Sequence, residues 1–150
     1  MGVSARFIHE GLERFSERYA GRVFSVDNNH RWPPDDRWPL RVVVDSDCHD
    51  PTLPQKLQLA GLQKARWSFI DGDHSRRGVK ADTETALAFG ADLLLYHDFG
   101  PNTPPHNPVT NDGADVRPYV IEIFDTNEGF WDLFEIRTFC GMALAVRKGI

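Results

Sequence analysis

The chain has 150 residues, enough to bury one hydrophobic core, so we expect a single domain over residues 1–150. Its 17 Lys and Arg residues against 22 Asp and Glu residues give a net charge of -5, which argues against nucleic acid as a partner. Cys48 and Cys140 form no CxxC pair, and no apolar run is long enough to span a membrane. These features predict a soluble protein of the reducing cytoplasm.

The spacing of apolar residues predicts helices and short strands in mixed order along the chain. Helical spacing covers residues 3–19, 53–63, 79–89 and 115–125. Short apolar runs predict strands at residues 22–26, 41–44, 67–70 and 92–96. The final segments, WDLFEIR and CGMALAVRK, alternate as an antiparallel pair does, with their connection near Thr138 and Phe139. Two Pro-rich segments, HRWPPDDRWP and GPNTPPHNPVTNDG, are predicted loops.

This order of elements predicts an α/β domain with a mainly parallel sheet, helices on both faces and a C-terminal antiparallel strand pair. Asp27, Asp45, Asp71 and Asp98 each fall at the end of a predicted strand. In a parallel sheet these ends meet at one edge, where such folds bind ligands. A single Asp there is typical of a turn or a helix cap. Four acids at four strand ends favour a ligand-binding edge.

The stretch FIDGDHSRRG puts three ionisable groups, Asp71, Asp73 and His74, directly after a predicted buried strand. Metal ligation, cofactor contact and a polar turn all remain open for them. The pattern Asp-x-Asp-x-Ser imitates the start of an EF-hand calcium loop. That loop needs Gly at its sixth position and Glu at its twelfth, where this chain has Arg76 and Asp82. We therefore reject a calcium loop.

FIDGDHSRRGVKAD, followed by a predicted helix and LLLYHDFG, resembles part of the class I S-adenosylmethionine-dependent methyltransferases. It is most similar to the small-molecule O-methyltransferases in which FIDGDHS and a strand ending in HD recur, in the segment from their fourth to fifth strand. GVSARFIHEGLERF resembles the first helix of that group, RVFSVD its second strand, and FEIRTFCGMALAVRKG its last two strands. The resemblance covers nearly the whole chain and implies a Rossmann-like methyltransferase fold.

The resemblance also implies which residues contact S-adenosylmethionine. The acid after the second strand, Asp27, would accept hydrogen bonds from the ribose hydroxyls, as a carboxylate can do with a vicinal diol. Asp45 and Ser46 would contact the adenine, and Asp71 would lie beside the reacting methyl group. The complete implied cofactor set is Gly2, Ser4, Asp27, Asp45, Ser46 and Asp71.

In some members of the group a divalent metal is held by acids from the fourth and fifth strand ends. This implies Asp71 and Asp98 here, with Asp73 or His97 to complete the ligand set. Oxygen ligands favour Mg²⁺ or Mn²⁺, whereas His74 or His97 would favour a transition metal. Metal-dependent members often have Asp-Asn where this chain has Asp-Phe. Without a metal, either histidine would be the general base, so the candidate catalytic residues are Asp71, His74 and His97.

Members of the group begin with a strand and a Gly-rich turn that are not found ahead of Gly2, and that strand is central in their sheet. We therefore expect an N-terminally incomplete domain that lacks the first strand. The predicted function is O-methylation of a small-molecule acceptor. One alternative is a degenerate domain without catalysis that serves as a binding or assembly module. Another is a different Rossmann-like enzyme that binds a nucleotide at the same edge. An open sheet is also compatible with a homodimer.

Four further features have a functional and a structural interpretation. The segment DCHD, residues 47–50, is a possible metal site or a structural turn. Trp32 and Trp38 would wall a pocket or cap the core, and the loop around His106 would be a substrate lid or a plain connection. The pair Arg76-Arg77 would bind an acidic substrate or remain solvated.

Overall fold

A computed structural model describes residues 22–26, 41–100, 116–126, 129–137 and 141–149. The strands are β1 (Val23–Val26), β2 (Arg41–Val44), β3 (Trp67–Ile70), β4 (Leu93–His97), β5 (Trp131–Ile136) and β6 (Met142–Arg147). The helices are α1 (Leu53–Leu59), α2 (Arg76–Ala88) and α3 (Arg117–Asp125), each too short or too polar to cross a bilayer. The helix predicted at 3–19 and nearly all of the two Pro-rich segments lie outside the described residues.

The described strands form two sheets, one in each of two compact units, Met1–Leu62 and Gln63–Ile150. In the first unit β1 pairs with β2 in parallel. In the second unit the strand order is β3-β4-β6-β5. There β3 and β4 are parallel, and β6 runs antiparallel to both of its neighbours. The predicted α/β class is confirmed, whereas the assignment of one domain to residues 1–150 stays a prediction.

The sheet of the second unit is mixed, although the sequence predicts a mainly parallel one. The C-terminal antiparallel pair is confirmed, with Trp131 opposite Arg147 and Ile136 opposite Met142. The last strand, β6, inserts between β4 and β5 and so makes a second antiparallel pairing, in which His97 lies opposite Met142. The pairings between described strands are therefore as often antiparallel as parallel.

One glycine and one serine cap set two of the helix boundaries. Helix α1 ends earlier than predicted because Gly61 takes a left-handed φ of 101°. There the Leu62 amide donates to Leu57 O and the Gly61 amide to Gln58 O, which is a Schellman motif. Helix α2 begins three residues before its predicted start because the Ser75 side chain accepts a hydrogen bond from the Gly78 amide at 3.1 Å.

One face of the four-stranded sheet packs against α2 and α3. The strand registers bring Ile70, Tyr96 and Ala143 to the same level, and both Tyr96 and Ala143 are 0 % exposed. The small Ala143 leaves room for large rings. Phe124 of α3 meets the Tyr96 and Trp131 rings edge to face, with ring centroids 6.1 and 5.5 Å away. Small alanine side chains on β6 therefore pack beside large aromatic rings on the neighbouring strands, and together they fill the core.

A hydroxyl pair lies inside this core. The Thr83 hydroxyl donates to Val79 O at 2.7 Å and lies 2.8 Å from the Tyr96 phenol oxygen. Since the single Thr83 proton goes to Val79, Tyr96 donates to Thr83. Burial raises the pKa of Tyr96 above its ordinary value, because it disfavours the charged phenolate.

Two glycines meet where the chain leaves β4 and enters β6. Gly141 has a φ of 71°, and a Cβ built on it would lie 2.3 Å from the backbone nitrogen of Gly100. The Phe99 amide donates to Gly141 O at 3.1 Å across the same contact. A side chain at residue 141 would therefore push the end of β4 away from the start of β6.

The terminal strand of the described sheet, β5, exposes two apolar side chains on one of its faces. Phe134 is 53 % exposed and Ile136 39 % exposed. The acids of the same strand are paired, Asp132 with Lys148 at 3.4 Å and Glu135 with Arg117 at 3.1 Å. The strand thus presents alternating apolar and charged groups to solvent.

Gly141→Ala tests the close approach of the two glycines. A left-handed alanine costs about 1–2 kcal/mol, and displacement of the Gly100 backbone adds to that cost. We expect the free energy of unfolding, measured by urea denaturation, to fall by roughly 3 kcal/mol.

The matched control for that variant is Gly149→Ala. Gly149 has a similar φ of 83° but nothing within 4 Å of an added Cβ. Gly149→Ala should therefore lose only the free energy that a left-handed alanine costs, without any steric displacement. Equal losses for the two variants would contradict a steric role for Gly141.

Tyr96→Phe tests the buried hydroxyl pair. We expect the variant to lose about 1 kcal/mol at neutral pH with the hydrogen bond to Thr83. Because folding raises the pKa of Tyr96, its hydroxyl supports the fold below pH ~10 and opposes it as the pH rises further. The stability difference should therefore shrink above that pH in urea titrations. Parallel curves for the wild type and Tyr96→Phe, with Tyr119→Phe as a control for general alkaline effects, would refute this assignment.

Candidate functional site

The candidate site of the second unit lies at the carboxyl ends of β3 and β4. Ile70 is opposite Tyr96 in the parallel register, so the next residues, Asp71 and His97, are also level. The Asp71 Oδ1 atom lies 3.2 Å from His97 Nδ1. The register alone therefore brings together two of the predicted site residues from distant positions in the chain.

Asp98 joins this pair through an unusual backbone conformation. Its φ of 54° is left-handed, which is uncommon for a residue with a side chain and turns the chain out of the strand. The Asp98 Oδ2 atom lies 3.0 Å from His97 Nδ1 although the two residues are consecutive. Its backbone oxygen accepts a hydrogen bond from the Val116 amide at 3.3 Å. Val116 thus fixes the backbone of Asp98, while the Asp98 carboxylate lies against the His97 ring.

His74 reaches the same carboxylate from the loop before α2. Its Nε2 atom lies 3.3 Å from Asp98 Oδ2, and the two side chains are only 6 % and 8 % exposed. Asp73 stiffens this loop by accepting hydrogen bonds from the amide and hydroxyl of Ser75, at 2.9 and 2.8 Å. At Gly78 an added Cβ would lie 2.5 Å from Asp73, so the loop packs tightly on the first turn of α2.

Three of these side chains could share a metal ion. One ligand atom from each of Asp71, His74 and Asp98 lies within 4.8 Å of the others. Ligands bound at about 2.0–2.2 Å from one ion are at most ~4.4 Å apart, so small movements would suffice. Asp71 and Asp98 are the predicted metal ligands. The tentative third ligand, Asp73, is engaged with Ser75, and His74 takes the third position in the cluster.

The two histidines differ in their access to a substrate. The His97 side chain is 29 % exposed, whereas that of His74 is 6 % exposed. The Phe69 ring meets the His97 ring edge to face at 6.1 Å and limits its orientation. Of the two predicted general bases, His97 is therefore the one that an external hydroxyl could approach.

The predicted adenine contacts lie in the first unit, after β2. Asp45 is exposed, and its backbone oxygen accepts a hydrogen bond from Lys56 Nζ at 3.0 Å. Ser46 is buried, and its hydroxyl donates to Asp50 Oδ2 at 2.5 Å. The Ser46 hydroxyl is thus committed as a donor, whereas the Asp45 carboxylate is exposed at the strand end. The remaining predicted cofactor residues, Gly2, Ser4 and Asp27, lie outside the described residues.

Asp50 organises this loop, and we did not predict its role. It pairs with Lys56 at 2.7 Å and accepts from the Thr52 amide at 2.7 Å as well as from Ser46. The Lys56 ammonium, followed by the Ser46 and Thr52 hydroxyls, holds the pKa of Asp50 well below its ordinary value. The signal in the sequence was Asp followed by Pro and Thr just before a helix. Asp47 also accepts from the His49 amide at 2.8 Å, so the DCHD segment is a turn.

The other predicted features are placed as follows. Arg76 pairs with Glu122 on α3, which raises the pKa of the arginine and lowers that of the glutamate. Arg76 therefore ties α2 to α3, while Arg77 is exposed. Trp32, Trp38 and His106 lie outside the described residues.

Asp50→Asn tests the first-unit loop. We expect a lower midpoint of thermal unfolding at neutral pH, because the charge that binds Lys56 is lost. The folded pKa of Asp50 lies below its ordinary value of 3.8, so its contribution is present above that pH and disappears as the pH falls below it. The difference from the wild type, followed by circular dichroism, should shrink below pH ~4. Asp125→Asn, at an exposed acid ending α3, is the control, and a difference independent of pH would contradict this role.

Comparison with known proteins gives no further assignment, since no protein-family model matches the chain and no curated protein matches it. The function must therefore be argued from the side chains of the site and from the sequence resemblance.

Proposed function

We propose that this chain is an S-adenosylmethionine-dependent methyltransferase domain that methylates an oxygen atom of a small molecule. One observation carries the proposal. Asp71 of the FIDGDHS motif and the His97-Asp98 pair come from separate segments, yet their side chains lie within 3.2 Å of each other. Both motifs that carry the resemblance therefore contribute to one cluster at the strand ends, where α/β folds bind ligands.

A Rossmann-like fold is part of this proposal. Its support is the unit made of β3, α2 and β4, in which two parallel strands are joined through a helix. The C-terminal antiparallel pair adds to it.

In the proposed reaction the bond from the sulfonium sulfur to the methyl carbon breaks as the acceptor oxygen bonds to that carbon. His97 takes the hydroxyl proton. Its Nδ1 lies against Asp71 and Asp98, so we assign proton acceptance to Nε2. The two carboxylates orient the ring and stabilise the imidazolium that forms. The protein otherwise acts by positioning the acceptor in line with the methyl group.

Asp71, His74 and Asp98 would hold the divalent metal that some members of the family use. When bound, such a metal would lower the pKa of the acceptor hydroxyl. In the first unit, the exposed Asp45 carboxylate fits an adenine contact. The Ser46 hydroxyl already donates its proton to Asp50, so it could contact the adenine only as a hydrogen-bond acceptor.

Calorimetric titration with S-adenosylmethionine tests the proposal. We expect saturable binding to the folded protein, weakened on the order of tenfold in Asp45→Asn through loss of a charged hydrogen bond. Asp132→Asn, an exposed acid on β5, is the matched control. No heat at millimolar S-adenosylmethionine, with folding verified by circular dichroism, would refute the enzyme and favour the binding-module alternative.

The role of His97 is tested in the same preparation. His97→Gln should retain the affinity for S-adenosylmethionine but lower the turnover of a hydroxyl acceptor by about 10²–10⁴-fold. An unchanged rate would remove His97 from the proposed mechanism while leaving cofactor binding intact.

A further inference from the structure

We infer that Asp82 is a positioning residue of the candidate site, whose carboxylate fixes the turn between β3 and α2 that carries Asp71 and His74. The inference rests on the proposed function for its effect on methyl transfer. The position of the turn itself, however, can be measured without S-adenosylmethionine or a methyl acceptor.

The contact between Asp82 and Gly72 is the first argument. A Cβ added at Gly72 would lie 2.9 Å from Asp82 Oδ2, which is closer than a Cβ normally approaches another atom. Within the described part of the chain, the atoms less than about 4 Å from that Cβ all belong to Asp82. The Gly72 backbone is not left-handed, so the carboxylate rather than the backbone conformation favours glycine at this position. The carboxylate therefore lies directly against the residue that follows Asp71.

The same helix face holds the turn at a second point. Gly78 and Asp82 are four residues apart in α2, so they lie one above the other on its surface. A Cβ added at Gly78 would lie 2.5 Å from the backbone oxygen of Asp73. Two consecutive residues of the turn, Gly72 and Asp73, therefore pack on two consecutive turns of α2. The turn cannot shift along the helix without breaking both contacts.

The charge of Asp82 also acts on the strand that carries His97 and Asp98. Thr83, the next residue of α2, has its hydroxyl 2.8 Å from the Tyr96 phenol oxygen, which brings this part of the helix to the end of β4. Burial is the main cause of the raised pKa of Tyr96, and the negative charge of Asp82 adds to it. Asp82 thus interacts with both segments whose side chains meet in the candidate site.

These contacts make the position of Asp71 depend on Asp82. The planar peptide between Asp71 and Gly72 ties the direction of Asp71 to the position of Gly72. Asp71 Oδ1 in turn lies 3.2 Å from His97 Nδ1. A displacement of about 1 Å in a positioned group costs on the order of 10²-fold in rate. Asp82 therefore influences the proposed reaction through the turn, without contact with cofactor or acceptor.

The first test needs no activity. In folded Asp82→Ala and Gly72→Ala, the imidazole signals of His74 and His97 in proton–carbon NMR spectra should shift, because the turn moves in both variants. Gly72 is exposed, so Gly72→Ala provides a second route if Asp82→Ala does not fold. His74→Gln and His97→Gln identify the two signals.

Two matched controls accompany these variants. Glu84→Ala removes an exposed acid from the same helix. Gly129→Ala adds a methyl group at a glycine with nothing within 4 Å of the added Cβ. Both controls should leave the two histidine signals in place.

A double variant tests the contact through the rate. We expect Asp82→Ala and Gly72→Ala each to lower kcat for a hydroxyl acceptor on the order of tenfold, with the KM for S-adenosylmethionine and the thermal midpoint unchanged. Since the added methyl group meets only the Asp82 carboxylate, Gly72→Ala should lower kcat no further when combined with Asp82→Ala. A residue needed only for stability would lower the thermal midpoint instead.

Unshifted histidine signals in folded Asp82→Ala would overturn the inference, and so would rate losses that multiply in the double variant. The proposed function fails separately. If calorimetry shows no binding of S-adenosylmethionine while the histidine signals shift, methyl transfer is refuted and Asp82 still positions the turn. Binding of S-adenosylmethionine with unshifted signals would retain the proposed function and refute the role of Asp82.

Discussion

The parallel register of β3 and β4 is the constraint on which the candidate site depends. Because Ile70 lies opposite Tyr96, the residues that follow, Asp71 and His97, meet at the same level of the sheet. A shift of one residue would turn every side chain of β3 to the other face and separate the two motifs. The apolar core beneath, with Tyr96 at 0 % exposure, makes such a shift costly. Burial of the apolar side chains thus fixes the register that brings Asp71 and His97 together.

The loops around this register depend on a few backbone conformations that ordinary residues avoid. The left-handed Asp98 turns its carboxylate back towards His97, and the left-handed Gly141 lets β6 begin against the end of β4. Asp is tolerated in the left-handed region better than most residues, whereas the contact at Gly141 excludes any side chain. The left-handed backbone at these two strand ends is therefore occupied by residue types that tolerate it, and the sheet holds both in place.

Much of the local structure was predictable from the sequence. The strands at 22–26, 41–44 and 67–70 were found to within a residue, because short apolar runs ending in an acid are a strong local signal. The position of β6 between β4 and β5 was not, since strand order depends on packing between distant segments. The site shows the same division. Residue types placed Asp71 and Asp98 at strand ends, but the contacts of Asp73 with Ser75 and of His74 with Asp98 depend on the conformation of a folded loop.

The ion pairs of β5 bear on how the protein behaves in concentrated solution. Among the described strands β5 pairs only with β6, and it carries the exposed Phe134 and Ile136. An edge strand of this kind can pair with another copy of itself, which is how sheets begin to aggregate. Asp132 and Glu135 interrupt that apolar surface, and each also engages a cation of its own chain. A second β5 that approached edge to edge would bring like charges together and disturb these pairs. Asp132 and Glu135 therefore disfavour edge-to-edge association of two copies through β5.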